Sequence, residues 1–137
     1  MPCREEETSV FWIETDQELA DAVASWDNCV GLDTEFIRTD TFYPIPGLYQ
    51  VASADQVFLI DPLTIEDWQP FSTFLIDPKT LIVMHACQED LEMLNHHMKV
   101  QPTSVVDTPF AYAFTGVDYS LSYANLVRRT IGVDLHK

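Results

Sequence analysis

Two acidic side chains interrupt a stretch of the chain that is otherwise suited to a buried β-strand. Residues 29–37, CVGLDTEFI, are mostly apolar, and Asp33 and Glu35 stand two positions apart inside them. Successive side chains of a strand alternate between the two faces of the sheet, so both carboxylates point the same way. Two adjacent like charges are costly to bury unless a cation or hydrogen-bond donors compensate them. The segment therefore predicts either a site for a hard divalent ion, Mg²⁺ or Mn²⁺, or an edge strand whose acids face water.

The spacing of apolar residues along the rest of the chain predicts an α/β fold. The predicted strands are 10–13, 29–37, 48–52, 57–60, 80–85 and 105–107; the predicted helices are 16–27, 66–76, 88–98, 108–115 and a last one that ends near Ile131. Three consecutive strands form an antiparallel meander, and helix–strand units follow it. This order predicts a mixed sheet flanked by helices in three layers. Residues 1–8 are polar and acidic and are predicted to be a disordered arm.

A third acid, Asp90, lies in the first turn of the predicted helix 88–98, directly after a predicted buried strand. Strands of an α/β sheet present ligands at their carboxyl ends, so Asp90 could face Asp33. Acids are also common in the first turn of any helix, where they favour the helix dipole. Taken alone, Asp90 is better explained by the dipole.

Several short motifs occur in the order and at the spacings of one enzyme family. They are GLDTEFIRT at 31–39, TFYP at 41–44, GLYQ at 47–50, LIDPL at 59–63, HACQEDL at 85–91 and VDT at 106–108. An Asp-x-Glu pair alone is a weak signal, but the ordered set over about residues 10–137 is specific. On these motifs the chain resembles ribonuclease D, a 3′→5′ exonuclease family of ribonuclease H-like fold.

The resemblance implies a reaction and a site. Family members hold two divalent ions, Mg²⁺ or Mn²⁺, on four acids in the order Asp-Glu-Asp-Asp. They release nucleoside 5′-monophosphates from RNA 3′ ends, and tRNA precursors are the expected substrates. Asp33 and Glu35 match the first motif and Asp90 the second, so these three are expected to bind metal and to be catalytic. By the same likeness, the expected binding pocket for the terminal nucleotide includes Thr34, Phe36 and His85.

The sequence departs from the family at the third motif, Tyr-x-x-x-Asp, which supplies the fourth acid and a general-base tyrosine. No tyrosine of the chain has an aspartate four positions later. In the family, this motif and a C-terminal helical domain follow the region that is matched here. Residues 9–137 are therefore expected to be a partial exonuclease domain, truncated at the C-terminal end. Such a chain is expected to be inactive or nearly so, and to self-associate through the sheet face that the absent helix leaves uncovered.

The charge of the chain argues against a nucleic-acid partner unless metal ions change it. The 22 acids against 7 Lys and Arg give a net charge of −15, whereas phosphate binding usually needs a basic surface. Bound cations would invert the charge at the acids. The alternatives are an RNA exonuclease, a non-catalytic RNA-binding or scaffold module of the same fold, and a proofreading exonuclease for DNA. The TFYP and HACQEDL motifs fit ribonuclease D better than the last of these.

The expected compartment is the cytoplasm. Residues 1–10 carry three consecutive glutamates and no apolar run, which does not fit a signal peptide. No stretch approaches the roughly 18 apolar residues of a membrane span, so no membrane partner is expected. Three cysteines far apart in sequence suggest a reducing environment rather than a disulfide framework.

Five further residues have simpler predicted roles. His96 and His97 have no cysteine or histidine at ligand spacing and are predicted to be surface residues. Arg38 follows the acidic strand and is predicted either to contact a phosphate or to be solvated. Asp107 is predicted to cap the helix that follows it, and Cys87 to be a small core residue.

Overall fold

The computed structural model describes residues 7–116 and 121–136. The predicted acidic arm, 1–8, lies almost wholly outside this range. The strands are β1 (Ser9–Ile13), β2 (Cys29–Ile37), β3 (Ile45–Ser53), β4 (Gln56–Ile60), β5 (Leu81–Met84) and β6 (Val105–Asp107). The helices are α1 (Asp16–Ser25), α2 (Gln69–Ile76), α3 (Gln88–Met98), α4 (Thr108–Ala113) and α5 (Tyr123–Ile131).

The six strands form one mixed sheet in the order β1-β4-β3-β2-β5-β6. Strands β2, β3 and β4 are the predicted antiparallel meander. Strand β1 pairs in parallel with β4, and β5 and β6 extend the sheet in parallel on the other side of β2. The predicted mixed sheet flanked by helices is confirmed, and β2 with its two acids lies inside the sheet rather than at an edge.

The ends of two elements differ from the prediction because of proline. Helix α2 begins at Gln69 instead of residue 66, since Pro70 occupies its first turn. A helix that began at 66 would place Pro70 where its backbone nitrogen has no proton to donate to the carbonyl four residues earlier. Strand β3 begins at Ile45 instead of residue 48. It therefore contains Pro46, which lies opposite Phe36 next to a register shift.

Helices α1, α2 and α3 cover one side of the sheet, called here the core face. Along each strand, side chains point alternately to this face and to the opposite one. The core lies on this face and is formed by apolar residues of strands and helices, among them Val30, Tyr49, Phe58, Ile82, Leu19, Phe71 and Leu94. The other side of the sheet carries Asp33 and Glu35 and is called here the acidic face. Helix α5 reaches this face, where the Tyr123 ring lies against that of His85.

Helix α1 shows how local sequence sets an element. The Thr15 hydroxyl accepts a hydrogen bond from the Glu18 backbone N–H, and the Glu18 carboxylate accepts one from the Thr15 N–H. This reciprocal pair satisfies two backbone donors at the start of the helix. None of the described helices combines the length and the apolar character that crossing a membrane requires.

Candidate active site

Asp33 and Glu35 lie on the acidic face, as the period of two predicts. Both are exposed, while Leu32 and Thr34 between and beside them are buried on the core face. Asp33 lies opposite Gln50 of β3 and Glu35 lies opposite Leu48, so no cation stands beside either acid across the strand pair. Within residues 7–116 and 121–136, neither carboxylate forms a salt bridge. The two charges are therefore uncompensated by protein groups.

A bulge in β3 shapes the strand pair beside Glu35. Residues Glu35 and Phe36 lie opposite Leu48 and Pro46, so Gly47 is the extra residue. A side chain at Gly47 would place its Cβ 3.3 Å from the Glu35 carbonyl oxygen, which only glycine avoids. Bulges increase strand twist and often lie next to active sites. This bulge shifts the register of the strand pair directly after Glu35, and the pairing then continues to Ile37.

Asp90 is buried at the start of α3, on the core face of β2. Its carboxylate accepts a hydrogen bond from the Thr34 hydroxyl. Burial raises the pKa of Asp90, the Thr34 hydrogen bond opposes this rise, and the negative charge of Asp33 adds to it. The Asp33 contribution shows that the first and second predicted motifs are close enough to interact electrostatically.

The donor set suits hard divalent cations in type. Asp33 and Glu35 offer carboxylate oxygens, which Mg²⁺ and Mn²⁺ prefer, and no protein cation competes for them among the described residues. The candidate ligands do not all meet at one point. The described part of the chain holds no group of three or more His, Cys, Asp or Glu side chains close enough to share one ion. Asp90 of α3 is linked to the pair by the charge of Asp33 and by its hydrogen bond with Thr34, which lies between the two acids on β2. The residues present therefore fit part of a metal site, in which Asp33 and Glu35 supply two carboxylates and Asp90 lies nearby.

Replacing Asp90 by asparagine is expected to stabilise the metal-free protein near neutral pH. Because the folded-state pKa of Asp90 lies above its ordinary value of 3.8, its contribution to stability is present below that value and is lost as pH rises through the folded-state pKa. An asparagine side chain would keep the Thr34 contact without a buried charge. We expect a gain of about 1 kcal/mol at pH 7, or ~4 °C in Tm, that shrinks toward pH 4.

The measurement is thermal unfolding in EDTA between pH 4 and 7. Asp55→Asn is the matched control, because Asp55 is an exposed acid in the turn between β3 and β4 and is not among the groups that shift the pKa of Asp90. It should show no such pH-dependent gain. Equal pH profiles for the parent and Asp90→Asn would contradict a raised pKa at Asp90.

A cleft of about 420 Å³ opens on the acidic face next to Asp33. Its polar lining comes from Asp33, Gln50, His85 and Thr108, and Tyr123 of α5 forms one wall. His85 Nδ1 and Thr108 Oγ1 lie 2.8 Å apart and share a hydrogen bond. The structure thus brings His85 and Asp33 together in one cleft. The other two residues predicted for substrate binding lie elsewhere: Thr34 is buried against Asp90, and Phe36 is half-buried against the core.

Asp107 holds the loop between β5 and α3. Its carboxylate accepts hydrogen bonds from the backbone N–H groups of Ala86 and Cys87, at 2.7 and 3.2 Å. The prediction that Asp107 caps the helix after it is wrong, because its carboxylate makes no side-chain cap to α4 and bonds to the loop before α3 instead. Cys87 is buried as predicted, and burial raises the pKa of its thiol to about 11, with Asp107 adding to the rise.

Arg38 and His97 have partners that the sequence did not indicate. Arg38 bonds to Glu92 at 3.2 Å and lies 3.8 Å from Glu89, while its side chain remains 39% exposed. His97 is half-buried, and its Nδ1 lies 2.6 Å from the hydroxyl of buried Tyr49. Burial lowers the pKa of His97, and His96 lowers it further. The prediction that His97 is a surface residue was wrong, because α3 turns it toward β3.

The sheet, the acidic pair and the adjoining helix define a class of nuclease. Residues 10–137 match the 3′→5′ exonuclease domain, and the chain belongs to that family. Within it, the chain is 42% identical over 130 residues to ribonuclease D of Pseudomonas paraeruginosa, in a match that covers 93% of this chain and 35% of that protein. It is 40% identical over 128 residues to ribonuclease D of Escherichia coli, covering 91% and 34%.

The solved structures agree. The crystal structure of Escherichia coli RNase D, described as an exoribonuclease involved in structured RNA processing, superposes with a TM-score of 0.83 at 38% identity, over 91% of this chain and 34% of that one. The resemblance to ribonuclease D is confirmed. The chain spans about a third of the length of these relatives.

Proposed function

We propose that this chain is the metal-binding front part of a 3′→5′ exoribonuclease that releases nucleoside 5′-monophosphates from RNA 3′ ends. The observation that carries the proposal is the pair Asp33 and Glu35, two uncompensated carboxylates on the acidic face of an internal strand. A solvated edge strand, the alternative for this pair, does not apply, because β2 lies between β3 and β5. We also propose structured RNAs, with tRNA precursors first among them, as the substrates and the cytoplasm as the location; the description of the Escherichia coli relative as an exoribonuclease involved in structured RNA processing supports the substrate class.

We propose a separate role for each residue of the site according to its position. Asp33 and Glu35 would hold two divalent ions, Mg²⁺ or Mn²⁺, with Asp90 as the next carboxylate. The ions would supply activation of the attacking water and stabilisation of the leaving 3′ oxygen. Thr34 orients Asp90 through its hydroxyl. His85, which shares a hydrogen bond with Thr108, lines the same cleft as Asp33 and would contact the sugar or phosphate of a bound nucleotide.

We further propose that the chain by itself trims RNA poorly or not at all. Its tyrosines are not followed by an aspartate at the fourth position, so the fourth acid and the general base of the Tyr-x-x-x-Asp motif are missing from its sequence. With two exposed acids and one buried one in place of four, the chain offers too few carboxylates to hold both ions, and the ions would be the groups that activate the attacking water and stabilise the leaving oxygen. Uncovered surface on the acidic face also favours self-association.

A chimaera tests both proposals. This chain would be joined to the part of Escherichia coli ribonuclease D that follows its matched region, which is feasible at 40% identity over 128 residues. The assay is mononucleotide release from a short single-stranded RNA in Mg²⁺ and in Mn²⁺. We expect the chimaera to trim and the chain alone to release at least about a hundred-fold less, because one metal ligand and the base together contribute several kcal/mol.

The outcomes separate the candidate functions. Trimming by the chimaera but not by the chain supports both proposals. Full activity of the chain alone would refute the need for the third motif. If neither protein trims, but the chain binds single-stranded RNA, the non-catalytic RNA-binding module becomes the better account.

A further inference from the structure

The segment after β2 presents an unusually exposed aromatic ring. Phe42 has 82% of its surface exposed, and its neighbour Tyr43 has 45%. Single exposed apolar residues are common on protein surfaces, so exposure alone has no functional meaning. The feature that distinguishes Phe42 is that its loop is fastened at several points although the ring itself faces water.

The loop is held against α3 from two sides. Arg38 donates to the Phe42 carbonyl oxygen at 3.4 Å and to the Glu92 carboxylate at 3.2 Å. The Tyr43 ring stacks on that of His96, with centroids 3.9 Å apart and planes within 9°. Pro44, which follows, is fully buried. The backbone under Phe42 is therefore fixed on both sides of the exposed ring.

The ring itself is oriented by its neighbour. Phe42 meets Tyr43 edge to face, with centroids 4.9 Å apart and planes 80° apart. This arrangement is a favourable geometry for two aromatic rings. Because Tyr43 is in turn stacked on α3, one flat face of Phe42 is displayed to solvent in a defined direction.

The fastened loop adjoins the candidate metal ligands on both sides. It continues directly from β2, whose last residue, Ile37, lies about 7 Å along the strand from Glu35. Arg38 ties it to Glu92, two residues from Asp90 on the same helix. The Phe42 loop is thus joined to both elements that carry the candidate metal ligands, to β2 by the chain itself and to α3 by the Arg38–Glu92 contact.

We infer that Phe42, backed by Tyr43 and His96, is a stacking platform for an upstream nucleobase of single-stranded RNA; the inference rests on the proposed function. Aromatic stacking accepts any base, since every base has a π-face. A chain with a net charge of −15 gains little from phosphate contacts, and the nearest cation, Arg38, is already paired with Glu92 and Glu89. Stacking therefore suits this loop better than phosphate neutralisation.

The test uses the whole chain and oligouridylate RNAs that carry a single 2-aminopurine at one of the six positions nearest the 3′ end. Stacking quenches 2-aminopurine, whereas neighbouring uridines stack weakly. With Ca²⁺ present, we expect quenching to peak at one or two adjacent positions. Phe42→Ala and Phe42→Leu should abolish that peak and weaken binding about ten-fold, while Phe42→Trp should retain both.

Phe114→Ala is the matched control, because Phe114 is 92% exposed and lies at the end of α4, outside the Phe42 loop. It should bind and quench as the parent does. If the parent binds RNA but Phe42→Ala leaves affinity and quenching unchanged, the platform is refuted while the proposed function stands. The platform is likewise refuted if Phe42→Ala alters only self-association on size exclusion. If the parent binds no RNA in any position series, the platform is refuted, and trimming by the chimaera decides the proposed function separately.

Discussion

Replacing Asp33 by asparagine is expected to lower RNA trimming by the chimaera at least about a thousand-fold. Asp33 is one of two exposed carboxylates on the acidic face and the one whose charge reaches Asp90. Asparagine keeps the shape of the side chain but removes the charge that would hold the ions in place. A loss of ~4 kcal/mol of transition-state stabilisation corresponds to this factor.

The measurement is the rate of mononucleotide release at saturating RNA, and Asp55→Asn is the control. Asp55 is exposed in the turn between β3 and β4, so the same chemical change there alters the net charge without touching the site. A second readout is Mn²⁺ binding to the chain alone by electron paramagnetic resonance, which Asp33→Asn should weaken. Unchanged cleavage and unchanged Mn²⁺ binding in Asp33→Asn would remove the acidic pair from the mechanism.

Phe71→Ala is expected to destabilise the fold by about 3–5 kcal/mol. Phe71 of α2 is 1% exposed and joins the helix layer to the sheet. Its ring lies 5.5 Å from that of Trp26 and 5.7 Å from that of Tyr49, both edge to face. Alanine would leave a cavity where three elements meet, and the neighbouring rings are too rigid to fill it.

Urea unfolding followed by tryptophan fluorescence measures this loss. Phe114→Ala removes the same ring at a position that is 92% exposed, and we expect it to change stability by no more than about 0.5 kcal/mol. A Phe71→Ala midpoint close to that of the parent would mean that α2 does not form part of the cooperative core.

The candidate site was predictable where it depends on neighbours in sequence. Asp33 and Glu35 share a face because the strand period is two, and this holds in any sheet that contains β2. The motifs that resemble ribonuclease D pointed to the same pair and to Asp90. The cleft residues Gln50 and Tyr123 were missed, because no local pattern distinguishes them from ordinary strand and helix residues.

Contacts across long sequence separations were not predictable. Asp90 bonds to Thr34 across 56 positions, Arg38 to Glu92 across 54, and Tyr49 to His97 across 48. Each of these contacts depends on which strand lies under which part of α3. That placement is set by the strand order and by packing of the whole core face, for which a local stretch of sequence holds no signal.

The sequence by itself determined the alternation that points Asp33 and Glu35 to one face, the capping box that starts α1 at Asp16, and the family to which the chain belongs. Such features depend on residues within a few positions of each other. Only the tertiary structure decided that β2 is internal, that Asp90 is buried on Thr34, and that Arg38 fastens the Phe42 loop to α3. These outcomes depend on the assembled sheet, because burial of the common apolar core brings the partners together.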